Sequence, residues 1–201
     1  NVESNRIVKF MSLGKARSEG LLECLNPEPA YLNHIASLTD INRIRNAGLN
    51  IAVDSMHGAG AGYFSKLLGG GTTKIVEVRK DHNPSFPGML QPEPIAGNID
   101  PLISAVITTS SDVGLATDGD ADRLGVVDED GNFVTTLQIF ALLCFHLLGI
   151  LNMKGPIVKS ITMTSMIEHL GEIYDVPVLT TPVGFKHLGP VMTAENALAA
   201  G

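Results

Sequence analysis

Residues 51–78 read IAVDSMHGAGAGYFSKLLGGGTTKIVEV. Ile51-Ala52-Val53 is a short apolar run stopped by Asp54, and Asp54 to Gly62 is a turn of small residues. Tyr63, Phe64, Leu67 and Leu68 then recur at helical spacing, Gly69-Gly70-Gly71 closes that helix, and Ile75 to Val78 is a second apolar run. Runs this short, bounded by glycines, suit buried strands rather than helices. Two strands joined by a helix need the crossover that parallel pairing requires. The stretch therefore predicts a β–α–β unit with a parallel pair.

The same rhythm extends in both directions. Upstream, Asn26-Pro27-Glu28-Pro29 breaks the chain, and Tyr31, Leu32, Ile35, Leu38, Ile41 and Ile44 predict one or two helices over about 30–47, with Gly48 at the C′ position. Downstream, residues 81–98 hold Pro84, Pro87, Pro92 and Pro94 and predict a long irregular loop, anchored by Phe86, Met89, Leu90 and Ile95. Asp100 and Pro101 suit the N-cap and first position of a helix running to about Thr108. Strands are predicted at 113–116, 124–127, 157–161 and 177–180, with Asp128 to Gly131 a hairpin-type turn into Phe133-Val134. Helices are predicted at about 136–148 and along the face of Met163, Met166, Ile167 and Leu170, and Thr181 to Leu188 reads as a loop. The alternation gives an α/β fold with a mixed sheet built of βαβ units and flanking helices, followed by an incomplete second α/β domain. The expected division is 1–47 as a tail and linker helices, 48–132 as one domain and 133–201 as part of another.

Composition excludes several classes. The chain has 201 residues, with Lys plus Arg 14 against Asp plus Glu 21, so its formal charge is −7. That balance argues against a nucleic-acid partner. At 44% hydrophobic and 17% charged it is too apolar for a disordered chain. Two cysteines, Cys24 and Cys144, build no disulfide framework, and a reduced, cytoplasmic setting is the expectation. Asn1 to Phe10 lacks a leader-type apolar region, and the absence of an initial Met suits a piece of a longer chain. The most apolar run, Leu137 to Leu151, is too short for a membrane span, since about 20 residues are needed, and reads as a buried helix.

The strongest chemical signal is Asp118, Asp120 and Asp122 with Arg123 adjoining. Three carboxylates at alternate positions after an apolar strand repel one another unless a hard cation joins them, and Mg²⁺ and Ca²⁺ take such oxygen ligands. Gly119 and Ala121 are small enough to let the backbone curl. An acidic surface turn capped by Arg123 is the plainer account. An EF-hand would place Glu129 at loop position 12 but needs glycine where Arg123 stands. A phosphatase-type Asp-x-Asp nucleophile is the third alternative.

Here the residues carry a resemblance. Thr117 to Arg123 resembles the metal-binding loop of the α-D-phosphohexomutases, the phosphoglucomutase/phosphomannomutase family. Ile51 to Gly60 is similar to the start of that family's second domain, and Pro84 to Pro94 to the loop after its second strand. Thr181 to Lys186 resembles the sugar-contacting loop of its third domain. The resemblance implies a reversible phosphoryl transfer within a hexose phosphate, through a phosphoserine and Mg²⁺. It implies Asp118, Asp120 and Asp122 as metal ligands, Arg123 at the phosphoryl or sugar, and Gly184 and Lys186 as substrate contacts; His187, beside Lys186, reads either as part of that substrate loop or as a surface residue. The family's Thr-Ala-Ser-His-Asn-Pro motif does not occur. His82-Asn83-Pro84 copies only its tail, after Asp81 rather than serine, and reads as a proline turn. The family's Gly-Glu-Glu-Ser-Gly loop would follow Gly201, so the resemblance implies a middle portion lacking mutase activity alone. A non-catalytic Mg²⁺ or sugar-phosphate binding module and a structural Ca²⁺ site are the rival functions.

The remaining features have plainer readings. His57 reads as a turn histidine bonded to backbone. Gly58 to Gly62 either cradles phosphate at a helix N-terminus or allows close strand–helix packing. Met163, Met166, Cys24 and Cys144 read as packing, and Asp128, Glu129 and Asp130 as a solvated turn. The truncated third domain is expected to expose Leu188, Val191 and Leu198 and to favour self-association.

Overall fold

The computed structural model describes residues 10–201; the leader reading of the first residues falls largely on 1–9, outside the described part. The chain forms two compact units, Asn1–Asp40 and Ile41–Gly201. In the first, α1 (Leu13–Ser18) begins at Ser12, whose hydroxyl accepts from the Lys15 amide, and α2 (Glu28–Leu38) begins at a proline turn. Neither helix buries a residue, and Cys24 is exposed rather than packed.

The predicted helical pattern over 30–47 breaks where Thr39 turns extended, and α3 (Ile41–Arg45) belongs to the second unit. Gly48 has φ +74, the left-handed backbone expected of it. The second unit carries two sheets. The first has strand order β2-β1-β3-β4-β5, from β1 (Asn50–Asp54), β2 (Lys74–Val78), β3 (Val113–Thr117), β4 (Leu124–Asp128) and β5 (Phe133–Val134). β1 runs parallel to both β2 and β3, with Ile51 opposite Ile75 and Val113, while β4 and β5 run antiparallel as a hairpin.

Both faces of this sheet are covered. α4 (Tyr63–Leu68) crosses over from β1 to β2, and Ile41, Ile51, Val53 and Leu68 pack on that face. On the other, α5 (Asp100–Thr109) lays Leu102, Ala105 and Val106 on Ala52, Ala116 and Val127. Successive β1 residues thus feed opposite cores, so the strand reads as continuously apolar rather than alternating. Asp100 is the first helical residue and not the cap, because a 3-10 turn over Ala96–Asn98 has already brought Ile99 into helical backbone.

The second sheet is parallel, in the order β7-β6-β8, from β6 (Ile157–Ser160), β7 (Val178–Thr181) and β8 (Ala199–Ala200). α6 (Thr136–Phe145) starts at a Thr135–Gln138 capping box and continues as a π-helical segment, His146–Ile150. α7 (Met166–Tyr174) and α8 (Phe185–Ala194) complete the unit. Ala141, Cys144, Leu148, Ile157, Ile167 and Val176 form its core.

Four expectations are corrected here. The run from Leu137 buries one face only, since Leu142, Leu143, Ile150 and Leu151 stand more than half exposed. Among the described residues no helix is long and apolar enough to cross a membrane. Met163 precedes α7 instead of lying on it. Residues 185–188 form the first turn of α8, not a loop, because the turn is complete at Gly184 (φ +115). Leu188 is buried and Val191 and Leu198 are half-buried, so the expected exposed face is absent: α8 packs that side against β6 and β8.

Candidate metal centre

Because β1, β2 and β3 point the same way, the loops leaving their C-terminal ends (55–62, 79–98 and 118–123) share one edge of the sheet, the place where open α/β sheets gather ligand-binding groups. The third of these loops turns the chain from β3 back into β4.

Asp118 organises that turn. Its side chain is buried, and it accepts three N–H groups: Oδ1 takes the backbone amides of Asp122 at 2.9 Å and Arg123 at 3.0 Å, and Oδ2 takes Arg123 Nε at 2.7 Å. The amide of Ala121 donates to the Asp118 carbonyl at 3.1 Å, with Ala121 in left-handed backbone. The curl brings the exposed Asp120 and Asp122 alongside, so that one carboxylate oxygen from each of the three aspartates lies within 4.8 Å of the others. Burial pushes the Asp118 carboxyl up, but the backbone and side-chain hydrogen bonds from Arg123 outweigh it and hold the group below its ordinary range. Asp122 is shifted the other way, raised first by the charge of Asp120 and then by that of Asp118. The residual repulsion at Asp122, with carboxylate oxygens gathered and two of the three side chains open to solvent, fits a hard divalent cation. An EF-hand does not fit: the flanking elements are strands β3 and β4, and Glu129 lies in the β4–β5 turn. That turn is closed by Asp128, whose carboxyl is held low by the Asn132 amide and side chain.

Two other loops wall the site. The small-residue turn presses on it directly: the Ala59 amide donates to the Gly119 carbonyl at 2.9 Å, and a Cβ at Gly58 would stand 2.5 Å from that oxygen. Gly58 thus lets two backbones touch, a Cβ at Gly60 would stand 2.6 Å from Thr117 Oγ1, and Gly62 takes left-handed backbone at φ +79. The His57 Nδ1–H donates to the Asp81 carbonyl at 2.9 Å, the backbone-bonded turn histidine expected. On the opposite side the Gly119 amide donates to the Pro92 carbonyl at 3.0 Å, and Glu93 Oε1 pairs with Arg123 Nη1 at 2.9 Å. Asn98 ties this proline loop together through Nδ2, which donates to the carbonyls of Gln91 and Glu93. Its own carbonyl accepts from Arg79, which pairs with the fully buried Asp54. Of the apolar anchors expected here, Met89 reaches the core and Phe86 lies against Gly119, whereas Leu90 is wholly exposed and Ile95 nearly half exposed.

Glu93, Arg79 and Asp54 were not singled out by sequence reasoning. The cues were an acid among prolines and an acid closing an apolar strand, both commonplace. Gly184, Lys186 and His187 lie at the opening of α8, with both side chains exposed. Among the described residues no hydrogen bond or ion pair joins Lys186 or His187 to the aspartate loop. A cavity of about 520 Å³ does open beside that loop, lined by Glu93, Asp122, Arg123, Phe140 and Met163 among others, and it does not include those residues.

Comparison with known proteins agrees with this architecture. Residues 29–131 match the family model for phosphoglucomutase/phosphomannomutase alpha/beta/alpha domain II, and residues 136–201 match that for domain III. The chain is 27% identical over 193 residues to a phosphoglucomutase/phosphomannomutase of Thermococcus kodakarensis, covering 96% of this chain and 41% of that protein. A phosphoglucomutase/phosphomannomutase family protein of Burkholderia thailandensis shares the fold, with TM-score 0.75 at 23% identity, over 94% of this chain and 42% of that one. The N-acetylphosphoglucosamine mutase of Aspergillus fumigatus, solved with GlcNAc-6P and magnesium, shares it at TM-score 0.54 and 19% identity, over 77% of this chain and 35% of that one. The chain spans about two fifths of the length of the curated relatives it matches. With one domain model covering half the chain and a second covering most of the remainder, the chain belongs to the phosphoglucomutase/phosphomannomutase family.

Proposed function

We propose that this chain supplies the metal-holding part of a cytoplasmic enzyme that moves a phosphoryl group reversibly between the 1- and 6-positions of a hexose phosphate, by way of a phosphoserine these residues do not contain. The observation that carries the reading is the convergence of the Asp118, Asp120 and Asp122 carboxylates beside a guanidinium held in place by two acids.

The three aspartates are the residues that would hold Mg²⁺. When bound, that ion offsets the negative charge gathering on phosphoryl oxygens during transfer. Asp118 has a double duty: its buried carboxylate closes the turn that sets the other two, while Asp120 and Asp122 offer theirs outward. Arg123, kept firmly protonated by its bonds to Asp118 and then Glu93, presents a fixed positive charge to a phosphoryl oxygen. Gly184, Lys186 and His187, at the opening of α8, are assigned to the sugar phosphate: the glycine allows the tight turn, and the lysine brings a cation. In domain terms, 48–132 serves as the family's second domain and 133–201 as part of its third; the matched domain models, over 29–131 and 136–201, support the junction between the two, while the first of them begins ahead of 48.

Calorimetric titration of this chain with Mg²⁺ tests the reading. Binding by the wild type that Asp120→Ala abolishes is the expected result; equal binding by the variant removes the metal assignment. Asp120 is the informative position because it is exposed and closes no turn.

A further inference from the structure

Arg123 is fixed at two of its three guanidinium nitrogens by acids from different loops. Nε donates to Asp118 Oδ2 at 2.7 Å and Nη1 to Glu93 Oε1 at 2.9 Å. Nη2 makes no hydrogen bond or ion pair among the described residues, although the side chain is only half covered, at 53% exposed. The acid on the far side is itself held. The Glu93 amide donates to the Gln91 carbonyl at 2.9 Å, and its carbonyl accepts from the Ile95 amide at 2.8 Å and from Asn98 Nδ2 at 3.0 Å. Through Asn98 the chain of bonds continues to Arg79 and the buried Asp54 at the end of β1.

An arginine beside three aspartates has an unproductive alternative. Nε already stands 3.8 Å from Asp122 Oδ1, and a guanidinium free to swing would settle on Asp120 and Asp122 and neutralise them. A carboxylate on the opposite side opposes that swing, and the fork of the guanidinium can serve both acids while leaving one edge free. We infer that Glu93 is a positioning residue: it fixes Arg123 so that the Nη2 edge is left for an oxyanion, a phosphate or phosphate ester, at the aspartate cluster. The inference rests on the phosphoryl role given to Arg123 above and extends it to a residue of the proline loop.

The test titrates this chain, in excess Mg²⁺, with inorganic phosphate and separately with glucose 1-phosphate, following amide shifts by NMR. Glu93→Gln keeps the shape and removes the charge. It is expected to weaken both probes about two- to tenfold, the cost of ordering one freed arginine side chain on binding, and to add nothing in an Arg123→Ala background. Weakening of the same size with and without Arg123, as a general structural role would give, overturns the inference. So does wild-type affinity in Glu93→Gln when Arg123→Ala binds worse, which leaves the Arg123 assignment standing. If Arg123→Ala binds both probes like the wild type, or the wild type binds neither, the Arg123 assignment fails and the role of Glu93 with it. Arg123→Lys leaves Glu93 untouched: a point charge cannot serve two acids and a ligand together, so affinity at least about twofold lower is expected, and wild-type affinity there overturns the inference.

Discussion

Arg123 and Asp118 are joined twice, by the Arg123 amide to Oδ1 at 3.0 Å and by its Nε to Oδ2 at 2.7 Å, so one residue's backbone and side chain both close on one buried carboxylate. The acid at the base of the aspartate cluster is therefore structural as well as chemical. Its neighbours in the motif are not, and this asymmetry makes the three aspartates experimentally separable.

Asp118→Ala removes a buried, charged acceptor that closes the turn on three N–H groups. A loss of about 1–3 kcal/mol of unfolding free energy is expected, the usual range for hydrogen bonds to a charged group. Asp120→Ala, at an exposed position, is expected to change stability by no more than about 0.5 kcal/mol. Urea unfolding of both variants in EDTA measures the contrast; equal losses would place the burden of the turn elsewhere.

Gly58→Ala and Gly62→Ala separate close approach from backbone conformation. At Gly58 the new Cβ meets the Gly119 carbonyl at 2.5 Å and must displace the aspartate loop. Mg²⁺ affinity should fall with it. Gly62 has φ +79 with nothing within 4 Å, so alanine there costs about 1 kcal/mol through left-handed backbone alone. Mg²⁺ titration beside thermal unfolding distinguishes the two.

The pair Lys159–Glu168 sets a pH dependence. Lys159 is buried on β6, its Nζ lies 2.7 Å from Glu168 Oε1, and the bond to Lys159 draws the Glu168 carboxyl below the ordinary glutamate range. A carboxylate whose folded value is lowered adds stability above its unfolded value and loses it as pH falls through the folded one. The stability gap between wild type and Glu168→Gln should thus be full above about pH 4.5 and close below it. Denaturant midpoints from pH 7 to pH 3 check this; a gap that widened on acidification would contradict it.

Cys144 lies in the second core, and burial pushes its thiol up to about 11. Cys24 is exposed. At pH 8 a thiol reagent should label Cys24 quickly and Cys144 only when the chain unfolds. Rapid double labelling under native conditions would mean that α6 opens readily.

Purified alone, this chain should show no mutase turnover. A covalent route needs a phosphoryl-carrying nucleophile, and the positions flanking His82-Asn83-Pro84 offer only Asp81 and Ser85, the latter on the wrong side of the proline. The assay couples glucose 1-phosphate to glucose 6-phosphate with Mg²⁺ and bisphosphate activator. Turnover above a chelated control, lost in Asp120→Ala, would show a nucleophile elsewhere.

What the sequence determined by itself was local and periodic. An apolar run stopped at Asp54, a small-residue turn to Gly62 and the glycines at 69–71 specified a strand, a crossover helix and a parallel partner, because each signal spans only a few residues. The alternate spacing of Asp118, Asp120 and Asp122 announced a gathering of carboxylates for the same reason. The tertiary structure decided whatever depends on residues far apart in the chain. Nothing local at Glu93 says that it meets Arg123, nor at Asp54 that a partly buried arginine from β2's exit pairs with it. Those partners are chosen by the parallel register that brings three strand ends to one edge. Thr181 to Leu188 misled for a related reason: Pro182, Gly184 and Pro190 argue against a helix locally, yet α8 forms because Leu188 finds a buried place beneath it. Burial is a property of the assembled fold, and it outweighed the local preference there.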